Sequence, residues 1–75
     1  MTLTLDKMRA DLAEALDMTP AEVPMDEHLG DLGLDSIALM RILLKWEALR
    51  PDLPQAEMYE CETLQDFAEA AGVAS

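Results

Sequence analysis

The 75-residue chain carries sixteen acidic and five basic residues, a formal charge of −11 that argues against nucleic acid and against a membrane surface as partners. A chain this short forms one domain, residues 1–75, and only Trp46, Tyr59 and Phe67 are aromatic, so its core must be built from Leu, Ile, Val, Met and Ala. Cys61 is the only cysteine, which rules out an internal disulfide; with no membrane-length apolar run and no signal-peptide pattern, a cytoplasmic protein is expected.

Leu5, Met8, Leu12, Ala15 and Leu16 recur at helical spacing, and Thr4 suits an N-cap, predicting a first helix to about Asp17. Thr19, Pro20 and Glu22 then supply a cap, a proline at the first helical position and an acid in the first turn, the signature of one short helical turn that Pro24 ends. Residues 24–35 contain Pro24, Gly30 and Gly33 with Leu29, Leu32 and Leu34 between them. They read as a long loop pinned to the core by leucines, and loops of that length in small domains are usually functional.

A second helix is expected from Ser36 to about Leu49, where Arg50-Pro51 stops it. Residues 51–54 form a turn, and residues 56–59 suggest a short third helix. Thr63 and Asp66 make a capping box for a last helix, with Leu64, Phe67, Ala68 and Ala71 inward and Gly72 as its stop. With no strand pattern and no internal repeat, the expected fold is all-α, a small bundle of three main helices plus one or two short ones.

The second helix is unusual. Ile37, Leu39, Met40, Ile42, Leu43, Leu44, Trp46 and Leu49 wrap most of its circumference, and only Arg41, Lys45 and Glu47 clearly break the ring. A small bundle cannot bury a helix on every side, so some of this apolar surface is expected to be exposed near Ser36, as a site of interaction. Taken alone, Asp35-Ser36 is ordinary N-capping.

The wider stretch Asp26, Leu29, Leu32, Gly33, Leu34, Asp35, Ser36 resembles the phosphopantetheine-attachment motif of the acyl carrier protein superfamily. The resemblance extends over nearly the whole chain: its length, acidity, long first loop, short third helix and capped last helix. It implies that Ser36 carries 4'-phosphopantetheine, transferred from coenzyme A by a separate phosphopantetheinyl transferase, and that the arm's thiol holds a substrate as a thioester. Asp35 would flank that serine and aid recognition by the transferase. A serine at a helix N-terminus lies beside free backbone N–H groups and the positive end of the helix dipole, which suits a phosphodiester. His28, the only histidine, has no evident pairing with Ser36 and reads as an incidental loop residue, and Cys61 reads as a small core residue. Neither a catalytic residue nor a metal site is expected; the resemblance implies a tethered carrier and not an enzyme.

Within the superfamily, carriers of fatty acid synthesis typically have an acid-rich second helix. Here that stretch carries Arg41, Lys45 and Arg50 against Glu47. It is more similar to a free-standing peptidyl or aryl carrier (a thiolation domain) of nonribosomal peptide or siderophore assembly. A fatty-acid or polyketide carrier is the alternative, and an unmodified acidic interaction module a second one. The first resemblance implies an adenylating enzyme that loads an amino or aryl acid, and a condensing or tailoring enzyme that unloads it, acting on a monomer. Leu39, Met40, Arg41 and Leu43, with Met58 and Tyr59 on the third helix, are the expected recognition residues. Sequence leaves the rotation of the second helix open, so two of its four serve equally well as core. Trp46 is open in the same way, between packing and a trait of aryl carriers.

Overall fold

Three polar side chains start the three longer helices. The computed structural model describes residues 3–73, so the ends of the expected 1–75 domain lie outside the described residues. Thr4 Oγ1 accepts the Lys7 N–H and starts α1, Leu5–Leu16. Asp35 Oδ1 accepts the Ala38 N–H at 2.7 Å and starts α2, Ser36–Leu49. The short α3 spans Gln55–Glu60. Thr63 Oγ1 accepts the Asp66 N–H and starts α4, Leu64–Ala71, which Gly72 ends at φ 71°. Each cap satisfies a backbone donor that the first turn leaves without a partner. Among the described residues there is no strand, and the all-α expectation holds.

The turn expected at residues 20–22 is a 3-10 turn, Pro20–Glu22. The Thr19 N–H and hydroxyl both donate to Glu22 Oε1, and they hold its carboxyl below the usual carboxylate range. The long loop contains a second 3-10 turn, Leu29–Leu32, which was not expected because Gly30 interrupts any helical pattern there. Two backbone bonds tie this loop to the end of the chain: the Leu29 N–H donates to Glu62 O at 2.8 Å, and the Gln65 N–H to Met25 O at 2.9 Å. The segment leading into Ser36 is thus anchored at the α3–α4 junction.

The core gathers Met8 and Leu12 of α1, Ile42, Leu43 and Trp46 of α2, Met58 of α3 and Phe67 of α4. Trp46 is fully buried and meets Phe67 edge to face, with centroids 5.4 Å apart. Its indole N–H donates to the buried Asp11 carboxylate at 2.8 Å, and Lys7 Nζ lies 3.0 Å from the other oxygen. That pairing is what allows a carboxylate to sit in an apolar interface between α1 and α2. Packing therefore accounts for Trp46. Ala15, counted on the inner face of the first helix, is exposed; Ala13 takes that place. At the far end of α2, the Arg50 guanidinium donates to the Ala71 carbonyl at the end of α4 and pairs with Asp52.

Candidate functional site

The approach to Ser36 is set by a backbone that only glycine adopts easily. Gly33 closes the 3-10 turn at φ 111°, ψ 7°, and its N–H donates to Gly30 O. A Cβ there would meet nothing within 4 Å, so the requirement is one of conformation and not of space. Leu34 then dips inward, its N–H bonded to Leu29 O, and Asp35 takes an extended conformation, φ −96°, ψ 174°, to cap α2.

Ser36 occupies the first position of α2 and is exposed. Its hydroxyl has no hydrogen-bond partner among the described residues. Asp35 takes the Ala38 N–H with its side chain and the Leu39 N–H with its carbonyl, which leaves the Ser36 and Ile37 N–H groups free at the positive end of the helix. A cavity of about 260 Å³ opens beside the serine, floored by Leu29, Leu34 and Leu39 and rimmed by His28, Asp31 and Glu62. His28 is not solitary: its Nδ1 lies 2.9 Å from Glu62 Oε2 across this rim. An accessible hydroxyl, free donors and an open cavity fit a phosphodiester-linked arm on Ser36. Asp35 would fix the helix start beneath it.

Cys61 lines the same cavity. It is half-buried rather than a core residue, and its thiol donates to the Glu57 carbonyl. Burial, together with Asp66, Glu57, Glu60 and Glu69, pushes its pKa up to about 11, so the thiol is unreactive at neutral pH.

The expected recognition residues divide. Met40 and Tyr59 are each 49% exposed, Arg41 is exposed, and Leu39 is half-buried against the core. Leu43 and Met58 are buried and offer no surface to a partner, because α2 is rotated so that Leu43 faces the core with Ile42 and Trp46, while α3 turns Met58 inward and Tyr59 outward. Two apolar residues of α2 not singled out for recognition are exposed: Ile37 at 64% and Leu44 at 63%. Their spacing from Met40, three and four residues, was the available signal.

The phosphopantetheine attachment site family model matches residues 6–71. The chain belongs to this family. Such carrier domains belong to the acyl carrier protein superfamily; they are non-catalytic and hold 4'-phosphopantetheine covalently. The carrier domain is 37% identical over 65 residues to the acyl carrier protein ScoB of Streptomyces coeruleorubidus, covering 87% of this chain and 76% of that protein. It is 37% identical over 71 residues to the non-reducing polyketide synthase albA of Aspergillus niger, covering 93% of this chain but 3% of the synthase. To the isochorismatase of Bacillus subtilis it is 30% identical over 64 residues, 85% of this chain and 20% of that protein. No solved structure gives a significant match. Among the described residues, no helix is long and apolar enough to cross a membrane, and no group of side chains is arranged to hold a metal ion.

Proposed function

We propose that Ser36 Oγ is the attachment point of the arm and that the arm carries a polyketide-type acyl chain between partner enzymes. The observation that carries the attachment point is the exposed, unpartnered Ser36 hydroxyl at the start of a capped helix, next to an open cavity. When bound, the group supplies a terminal thiol on which cargo rides as a thioester. This chain's own residues do the rest: Gly33 and Asp35 hold the serine at the surface, and the exposed side of α2 meets whatever enzyme the arm visits. A phosphopantetheinyl transferase would install the arm, a loading enzyme would charge it, and a condensing or tailoring enzyme would discharge it.

The cargo reading rests on the relatives, one named an acyl carrier protein and others polyketide synthases. The amino or aryl cargo expected from the basic second helix becomes the second reading. It is favoured by the exposed Arg41 and Lys45 of α2. Loading the holo-carrier distinguishes the two. Malonyl-coenzyme A with a polyketide-system malonyl transferase is expected to add a malonyl group to the arm by intact mass. Adenylating enzymes supplied with amino and aryl acids are expected to leave it unchanged; the reverse pattern would establish the second reading.

A further inference from the structure

Ser36 opens onto a cavity whose charged lining is almost all of one sign. Asp31, Asp35 and Glu62 contribute carboxylates, and His28 is the one lining residue able to carry a positive charge. Arg41 and Lys45 line a different groove, between α2 and α1, opposite Asp11 and Glu14. His28 is fixed at the rim through its backbone: its carbonyl accepts the Asp31 N–H, and the N–H of Leu29 beside it donates to Glu62 O. In its ring, Nδ1 lies 2.9 Å from Glu62 Oε2, whereas Nε2 has no partner among the described residues. The other titratable groups here are all acids or the thiol. They are Asp26, Glu27 and Asp31 along its own loop, Asp35 at the start of α2, and Cys61 and Glu62 at the α3–α4 junction, with Asp66 one hydrogen bond behind Glu62.

An arm on Ser36 adds a phosphodiester, one more negative charge, to this ring of acids. We infer that His28 is a positioning residue for that arm: as imidazolium it bridges Glu62 and the phosphodiester and turns the base of the arm toward the cavity. The contact with Glu62 decides the chemistry of the other ring nitrogen. A carboxylate oxygen at 2.9 Å keeps the proton on Nδ1 when the ring is neutral, so Nε2 is then a bare lone pair that anionic oxygens avoid. Protonation makes both nitrogens donors and sets a full positive charge beside the phosphodiester. Loss of that proton therefore breaks the arm contact while the Glu62 contact stays. The free Ser36 and Ile37 N–H groups act from the helix side at every pH, so the contribution of His28 alone titrates. Imidazoles change charge between about pH 5 and 8, so the arm is held at the acidic end of that range and released at the alkaline end. This inference rests on Ser36 being the attachment point.

The test follows the phosphorus NMR resonance of the holo-carrier, without cargo, across about pH 5–8. A phosphodiester does not ionise in that range, so movement of its resonance reports a neighbouring group. The wild-type chain is expected to show a single sigmoidal shift, and His28→Asn should abolish it. His28→Arg should also remove the step, yet keep the resonance nearer its acidic than its alkaline wild-type position. In Glu62→Gln the step should survive, because the imidazole acts on the phosphodiester directly. His28 and Glu62 are 59% and 62% exposed, so these variants leave the core untouched. A step lost in Glu62→Gln would overturn the inference, by showing that His28 acts only through the ion pair and the loop. A wild-type resonance that does not move, a step that His28→Asn retains, or an arginine variant at the alkaline position would overturn it too. None of those results bears on attachment. If incubation with coenzyme A and a phosphopantetheinyl transferase yields neither added mass nor a phosphodiester resonance, the attachment reading fails and this inference with it.

Discussion

Around Ser36 two nucleophilic atoms share one cavity in opposite states. The serine hydroxyl is exposed and without a partner, whereas the Cys61 thiol is half-buried, bonded to Glu57 O and ringed by carboxylates. With its pKa pushed up to about 11, Cys61 stays protonated at pH 8, while an exposed arm thiol ionises in the ordinary range. Iodoacetamide at pH 8 is therefore expected to alkylate the arm of the holo-carrier and to spare Cys61, whose labelling should rise only toward pH 11. Labelling of Cys61 in the apo-carrier at the rate of a free cysteine would contradict this. The sign follows from linkage: the folded state holds the Cys61 proton more tightly than the unfolded chain, so this contribution to stability is present at neutral pH and lost as pH rises from about 9 to about 11. Gly33 provides a second test at this scale. Gly33→Ala meets no steric obstacle, so its cost is the left-handed backbone alone, about 1–2 kcal/mol in thermal or urea unfolding.

The helix starts were legible because a cap is a local event: Thr4, Asp35 and the Thr63–Asp66 box each act within three residues. The rotation of α2 was not, because its sequence is apolar nearly all round and rotation is decided by tertiary partners. Leu43 and Leu44 are chemically identical neighbours, yet one is buried and the other 63% exposed. That difference predicts a sharp contrast: Leu43→Ala should cost about 2–5 kcal/mol, against a change within about 0.5 kcal/mol for Leu44→Ala, both read by chemical denaturation. Equal costs would mean that α2 sits in another rotation. The Asp11–Trp46 bond joins residues 35 apart and was invisible for the same reason. Asp35→Ala should lower stability by about 1 kcal/mol through loss of the cap, and Asp35→Asn should restore most of it. A further defect in phosphopantetheinylation in the Asn variant would separate recognition of the carboxylate from capping.

Over the whole molecule, a charge of −11 is carried by a bundle whose described ion pairs are few and peripheral to its core, apart from the Asp11 pairing. Self-repulsion then outweighs local attraction, and raising sodium chloride from low ionic strength to about 0.5 M is expected to raise the melting temperature by screening it. The motif leading into Ser36 could be read from its leucines, glycine and Asp-Ser pair. Its anchorage could not, since the bonds from Leu29 to Glu62 and from Gln65 to Met25 close only when α4 has packed. Fold and prosthetic group follow from the family, whereas the attachment residue is a claim about one hydroxyl. Intact-mass measurement after incubation with coenzyme A and a broad-specificity phosphopantetheinyl transferase tests it most directly. The prediction is one phosphopantetheine on the wild-type chain and none on Ser36→Ala. An unmodified wild type, or a Ser36→Ala chain that still gains the group, would contradict it.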